Sequence, residues 1–161
     1  MPRDLPALSY HDYAALGELR YRIRHFLRFS ELAAGQEGLE PQQHQVLLAI
    51  RALHEGEAPT IRQIADHLLV RHHSAVGLID RLEKHRLVER TRGEGDRRQV
   101  RVQLTPQGEQ KLRHLSLVHR EELRTSGPRL VEALGDVLRG LPSDTPHKKE
   151  EDVSAAQSRR S

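Results

Sequence analysis

The sequence predicts a mainly α fold of the α+β type, with six helices and one two-stranded β hairpin. Three observations lead to this prediction. Apolar residues recur with the period of a helix over most of the chain. Two of the helical segments are short and are joined by a tight turn. The stretch that follows them alternates apolar and polar residues, as half-buried strands do.

The N-terminal part is predicted to form two helices after a short arm. Residues 1–8, with two prolines, are interpreted as the arm, and between residues 9 and 32 the apolar positions lie near one stripe of a helix. Gly35–Gly38 ends that helix. A second helix, 41–54, begins with a proline, which suits the first turn because its missing N–H is not needed there. Its apolar residues have the spacing of a buried face: Val46, Leu47, Ile50 and Leu53.

The next two helices form a helix-turn-helix pattern. Thr60 and Gln63 have the spacing of a capping box, which predicts the start of a short third helix. After a break near Leu69–Arg71, a fourth helix ends near His85. Its predicted buried stripe consists of Ala75, Leu78, Ile79 and Leu82.

A hairpin follows at once. Segments 87–91 and 99–104 alternate apolar and polar residues, and the glycine-bearing loop between them is basic. A helix-turn-helix followed by a basic hairpin is a winged helix, which we assign to residues 55–105. Its fourth helix suits the DNA major groove, about 12 Å wide, and its loop can reach the neighbouring minor groove.

Two more helices are predicted in residues 106–141. Thr105 is the expected N-cap of the fifth, with Pro106 in its first turn. Gly127-Pro128 is expected to interrupt it, so that a sixth helix runs from about Arg129 to Leu138. Residues 142–161 are polar and charged, and they are interpreted as a disordered tail.

The first and last helices carry apolar faces that the small winged core cannot cover. We therefore expect residues 9–54 and 106–141 to dimerise, through their N- and C-terminal helices, with a second copy of the chain. A homodimer of this kind places two recognition helices about 34 Å apart, one turn of DNA.

Composition excludes several classes of protein. No apolar run approaches the roughly 20 residues of a membrane span, and the N-terminus lacks the apolar stretch of a signal peptide, so we expect a cytoplasmic, nucleoid-associated protein. With no Cys, disulfides, thiol catalysis and Cys-based zinc sites are excluded. There is no Gly-rich phosphate loop, nucleophile elbow or HExxH motif, so neither an enzyme nor a cofactor is predicted.

The positive charge is concentrated in one segment. Residues 71–103 hold nine Lys or Arg against five Asp or Glu, whereas the rest of the chain holds 17 against 18. This placement favours a polyanion-binding surface, although basic faces that are merely solvated are common.

Two segments of the winged helix resemble the MarR family of bacterial transcription regulators. Residues 79–90, IDRLEKHRLVER, are similar to the family's VDRLEERGLVER. Asp96-Arg97-Arg98 and the segment 100–108, VRVQLTPQG, are similar to its DRR wing and the strand that follows. The resemblance implies an obligate homodimer that binds double-stranded DNA at a palindromic operator, usually as a repressor. It also implies, for many members, release by a small aromatic or anionic effector.

The chain departs from the family in its recognition helix. Where many members have Thr-Arg on the exposed face, this chain has Val76-Gly77, so base readout through that Arg is absent. A Val methyl can meet a thymine methyl, and Gly77 allows close approach. The residues expected to bind DNA are Arg71, His72, His73, Ser74, Val76, Gly77, Arg81 and, on the wing, Arg92, Arg97 and Arg98.

Alternatives remain open for several of these residues. Arg97 and Arg98 are interpreted as minor-groove residues braced by Asp96, but a solvated turn with a local ion pair is the alternative, and which arginine enters the groove is open. His67, His72 and His73 do not have the spacing of any recognised metal-ligand pattern, so no metal site is predicted there. A ligand cleft is the hypothesis for Arg24, His25 and His44, against surface or interface histidines.

The function predicted is a sequence-specific DNA-binding transcriptional regulator. The alternatives are a winged-helix module for protein–protein interaction and an architectural module that binds DNA without sequence preference. The missing recognition arginine and the modest net charge of +3 slightly favour the protein–protein module.

Overall fold

The computed structural model describes residues 7–92 and 99–141, which form five helices and one two-stranded antiparallel sheet. The mainly α winged-helix prediction is confirmed. In chain order the elements are α1 Tyr10–Gln36, α2 Pro41–Ala52, α3 Ile61–His67, α4 His72–Lys84, β1 Val88–Arg92, β2 Val100–Leu104 and α5 Pro106–Gly140.

The helix starts follow the capping signals in the sequence. The Ser9 and Thr60 side chains each accept from a backbone N–H three residues later, and both form complete capping boxes. Thr105 Oγ1 accepts from the N–H of Gly108 at 3.1 Å, with Pro106 in the first turn. α1 extends to Gln36, four residues beyond the predicted end, and Gly38 then takes a φ of 71° to turn the chain.

The predicted break at Gly127-Pro128 is wrong. α5 continues through Pro128, so the fifth and sixth predicted helices are one helix of 35 residues. Pro128 cannot donate to the carbonyl one turn earlier, which removes one hydrogen bond. α5 nevertheless lies along α1 for much of its length, and this packing outweighs the loss of one bond.

α1 and α5 run antiparallel. Lys111, near the start of α5, donates to the Glu37 carbonyl at 2.6 Å, just after the end of α1. Gly140, at the other end of α5, lies against Asp12 in the first turn of α1. The two helices therefore form a long pair beside the winged helix.

One hydrophobic core joins the winged helix to this pair. Its fully buried side chains come from α2, α3, α4, both strands and α5, and include Leu47, Ile50, Ile64, Ile79, Leu82, Val88, Val102 and Leu115. Leu112 and Leu115 of α5 pack into the same core.

The other face of the helix pair carries exposed apolar side chains. On α1 these residues include Tyr10, Tyr13, Leu16, Ile23 and Leu27, and on α5 they include Val131, Leu134 and Leu138. Over residues 7–92 and 99–141, no helix combines the length and hydropathy needed to span a membrane. The predicted arm 1–8 is described only from residue 7, and the predicted tail 142–161 lies outside the described residues.

Candidate nucleic-acid interface

α4 has one buried and one exposed face. Ala75, Leu78, Ile79 and Leu82 are buried, as the sequence predicts, and they fix α4 on the core. The opposite side presents His73, Asp80, Arg81 and Lys84 to solvent. A helix held in this way can present its outer face to a groove without losing its packing.

The N-terminal end of α4 is exposed and basic. Arg71 is the N-cap residue, its side chain makes no capping hydrogen bond, and it is followed by exposed His72, His73 and Ser74. The first N–H groups of a helix carry a partial positive charge that favours anions. This end is therefore suited to phosphate or to acceptor atoms on base edges.

Gly77 has no side chain on the surface of α4, and the Arg81 side chain, one turn later, lies near the space that a side chain would occupy. A Cβ built at Gly77 would lie 3.8 Å from Nη1 of Arg81, which is ordinary contact. Arg81 Nη2 lies 3.6 Å from Oε2 of Glu40 at the start of α2, and both side chains are at least half exposed. Exposed ion pairs of this kind contribute little, so Arg81 can leave Glu40 for a phosphate at small cost.

Gly77→Ala is expected to raise the free energy of unfolding by about 1 kcal/mol, because Ala is favoured over Gly inside a helix and the added methyl has room. If Gly77 serves close approach to DNA, the same variant loses affinity for its duplex. Thermal unfolding and a duplex titration on one preparation measure both effects. Gain of stability with unchanged affinity would remove Gly77 from the interface.

The strands of the wing pair in register from Val88↔Leu104 to Arg92↔Val100. The loop before α3 extends the sheet, because the N–H of Val102 donates to the Pro59 carbonyl at 2.9 Å. Arg92 is exposed where β1 ends. The predicted wing residues Asp96, Arg97 and Arg98 lie outside the described residues.

Arg90 links the wing to α4, and sequence reasoning missed this contact. Its Nη2 lies 2.5 Å from Oδ1 of Asp80, its Nη1 binds Oε2 of Glu83, and its backbone N–H donates to Oε1 of Glu83 at 3.2 Å. Burial opposes the charged guanidinium, but hydrogen bonding to Asp80 and the charges of both carboxylates outweigh it and raise the pKa of Arg90. No spacing rule would have found the contact, because it joins a helix to a strand.

A cavity of about 840 Å³ opens between the start of α3, the first residue of α4 and β2. Arg62, Gln63, His72 and Arg101 are among the residues that line it. Arg101 is held in place by the Ala58 carbonyl at 2.7 Å and by Glu57 at 2.6 Å. Arg62 of α3 is exposed beside the predicted interface. Sequence reasoning did not include Arg62 among the candidate DNA-binding residues, although its position on a polar face of α3 could have indicated it.

His44 is buried against His119, at the junction of α1, α2 and α5. The two rings are 4.8 Å apart, and His119 lies edge-on to Phe26 and Phe29. His119 Nδ1 lies 2.7 Å from the Leu115 carbonyl, to which it must donate, and its Nε2 lies 2.8 Å from Oγ of Ser30. The helical pattern of residues 41–54 predicted that His44 lies on α2, but it did not predict the contact with His119 of α5.

The environment of His44 disfavours its charged form. Nδ1 is buried and has no hydrogen-bond partner within the described part of the chain. Burial, followed by the nearby charge of His119, lowers the pKa of His44 to about 4. His44 is therefore neutral at pH 7.

The other two residues of the hypothesised ligand cleft lie on the exposed side of α1. His25 lines a groove of about 390 Å³ between α1 and α5, together with Tyr21, Arg22, Phe26 and Arg129. Arg24 is exposed. Within residues 7–92 and 99–141, no group of three His, Asp or Glu side chains has an arrangement that could hold a metal ion.

Comparison with known proteins agrees with this geometry. Residues 37–99, which include the helix-turn-helix and β1, match the model of the MarR family. The chain is also 32% identical over 77 residues to an uncharacterized HTH-type transcriptional regulator of Bacillus subtilis (strain 168), YsmB. That match covers 48% of this chain and 53% of the relative, so the chain spans about half the length of this curated relative.

Solved structures share the fold. AbsC, a MarR family transcriptional regulator from Streptomyces coelicolor, aligns with a TM-score of 0.67 at 20% identity, over 85% of this chain and 100% of AbsC. MepR, a transcription regulator of the Staphylococcus aureus multidrug efflux pump MepA, aligns with a TM-score of 0.67 at 18% identity, over 84% and 100%. MepR in its DNA complex aligns with a TM-score of 0.60 at 18% identity, over 84% and 100%.

Proposed function

We propose, from the match of residues 37–99 to the model of the MarR family, that the protein is a sequence-specific DNA-binding transcriptional regulator of the MarR type. It binds a palindromic operator as a homodimer in the cytoplasm and acts as a repressor. The observation that carries the proposal is the exposed, basic N-terminal end of α4 beside a two-stranded wing. The relative MepR has been solved in complex with DNA, which supports the proposal.

The two parts of the interface have different tasks. Phosphate contacts from the basic residues around α4 and the wing supply most of the affinity and make it depend strongly on salt. Sequence choice comes from the few side chains that reach base edges. His73 and Ser74 in the first turn of α4 are the polar candidates, with Val76 for a thymine methyl.

The helix pair α1 and α5 is the proposed dimer interface. Large apolar side chains are exposed on both helices, among them Tyr13, Leu16, Leu134 and Leu138, and this favours a contact with another protein surface. A second copy covers these side chains in an isologous contact, in which the same patch of each protomer faces the other.

Leu134→Glu is expected to convert the dimer to a monomer of 18.4 kDa, because a carboxylate placed in the apolar contact cannot be paired there. Light scattering coupled to size exclusion measures the mass. Leu48→Glu is the matched control, because Leu48 on α2 is equally exposed, 47% against 45%, but lies outside the helix pair. Equal dimer content in both variants would contradict this interface.

A small effector is proposed to bind in the groove between α1 and α5. The groove between α1 and α5 combines aromatic side chains, Tyr21 and Phe26, with the cationic Arg22 and Arg129. This combination suits a small aromatic or anionic molecule, and His25 lies in the same groove. His44 of α2 is not among the residues that line this groove, and it is buried against His119 instead.

Selection from a random duplex library, with the bound DNA sequenced, tests the proposal. A palindrome with half-sites about one helical turn apart is the expected result. Enrichment of no motif, with binding lost as salt rises, would replace the proposal with an architectural DNA-binding role. No binding even at low salt would favour a protein–protein module, the second candidate, which the absence of an arginine at Val76-Gly77 supports.

On the selected duplex, Arg97→Ala or Arg98→Ala is expected to weaken binding by about 1–3 kcal/mol at one of the two positions, as removal of a groove-reading arginine does. His73→Ala or Ser74→Ala should instead change the preference among operator variants more than the binding to random DNA. Competition titrations measure both quantities. If the α4 variants weaken binding to all duplexes equally, His73 and Ser74 contact phosphates rather than bases. If both wing variants bind as wild type does, the wing is not part of the interface.

A further inference from the structure

Two carboxylates lie on the helix proposed to enter the DNA groove. Asp80 and Glu83 belong to α4, and their side chains are 57% and 39% exposed. Duplex DNA carries one negative charge per about 1.7 Å of its axis, so carboxylates on this helix oppose its approach. A recognition helix that keeps both of them requires a compensating cation close by.

Arg90 of β1 is that cation. One guanidinium binds both carboxylates, through Nη2 to Asp80 at 2.5 Å and through Nη1 to Glu83. The Arg90 side chain is less exposed, at 26%, than either carboxylate, and its backbone N–H also holds Glu83. The planar fork of an arginine can span two acceptors in this way, whereas a lysine ammonium would not hold both at the same fixed geometry.

We infer that Arg90 is a positioning residue for DNA binding, which neutralises Asp80 and Glu83 and draws them toward the wing so that α4 can approach the phosphates. This inference rests on the proposed function. Arg90 acts through the carboxylates and need not touch DNA itself. Its loss therefore exposes two uncompensated negative charges on the recognition helix.

The test compares wild type, Arg90→Met and the triple variant Arg90→Met/Asp80→Asn/Glu83→Gln on one duplex. Methionine keeps the apolar stem and removes the charge. Arg90→Met is expected to weaken binding about tenfold at low salt, with a smaller loss as salt rises. The triple variant should bind at least as well as wild type, because no carboxylate is left to neutralise. A triple variant as weak as Arg90→Met would overturn the inference, since Arg90 would then act only as a mechanical brace.

A second arm does not depend on the folding of Arg90→Met. Asp80→Asn/Glu83→Gln with Arg90 intact is expected to bind the duplex several-fold tighter. The matched control is Glu121→Gln/Glu132→Gln on α5, which changes the net charge equally but away from α4. Equal effects of the two double variants would overturn the inference. A wild-type protein that binds no duplex would instead contradict the proposed function, so the two failures are distinguishable.

Discussion

Gly108→Ala is expected to lower the free energy of unfolding by about 3 kcal/mol or more. A Cβ built at Gly108 would lie 1.9 Å from the backbone oxygen of Leu87 and 2.9 Å from its carbonyl carbon. Both atoms belong to the backbone, so no side-chain rotation can relieve the overlap. The variant must therefore separate the start of α5 from the chain just before β1.

This contact is held from several sides. The Leu87 oxygen accepts the N–H of Thr105 at 3.1 Å, and Thr105 Oγ1 donates to the Arg86 carbonyl at 2.6 Å. The same Oγ1 accepts from the N–H of Gly108. A shift of α5 that made room for a methyl group would weaken this set of bonds together, which is why the expected loss lies at the upper end for overpacked sites.

Gly17→Ala is the matched control for that experiment. Gly17 lies inside α1 with nothing within 4 Å of its built Cβ, so the variant should gain about 1 kcal/mol from helix propensity alone. Chemical denaturation of both variants measures the two free energies. A Gly108→Ala protein as stable as wild type would contradict the close packing of α5 on the β1 end of the wing.

Local signals made most of the fold predictable. Capping at Thr60 and Thr105, the apolar stripe of α4 and the alternation of the wing strands each depend on neighbouring residues, and all agree with the structure. Pro128 misled the prediction because its local penalty is offset by packing on α1, which is distant in sequence. The close approach at Gly108 was invisible for the same reason.

The same distinction between local signals and distant contacts applies to the candidate site. Residues 71–77 could be predicted as part of the candidate interface because a helix-turn-helix followed by a hairpin fixes which face of α4 points outward. Arg90 and His119 could not be assigned, since their roles come from contacts with α4 and α2 across the fold. Periodicity predicts which face of a helix or strand a residue occupies, but it does not predict which distant residue that side chain contacts.

The stability of the protein is expected to fall as pH is lowered from about 6.5 toward 4, and His44 is the cause. Burial and the charge of His119 lower the pKa of His44 to about 4 in the folded chain, against 6.5 when it is unperturbed. Between these values the unfolded chain binds the proton and the folded chain does not, so acid favours unfolding. The full difference between the two pKa values corresponds to a loss of about 3 kcal/mol in the free energy of unfolding, which is nearly complete at pH 4.

Chemical denaturation at a series of pH values measures this loss, and two glutamine variants assign it. His44→Gln removes the titration and should flatten the pH dependence by about that amount, and His25→Gln, on the exposed side of α1, is the matched control for loss of an imidazole. Glutamine also offers an amide to the site where His44 Nδ1 lacks a partner, so stability at pH 7 alone does not separate the two effects. The slope against pH does separate them, because only an ionisable group contributes to it. An unchanged slope in His44→Gln would assign the acid sensitivity to other groups and would mean that the α1–α2–α5 junction accepts a charged imidazole.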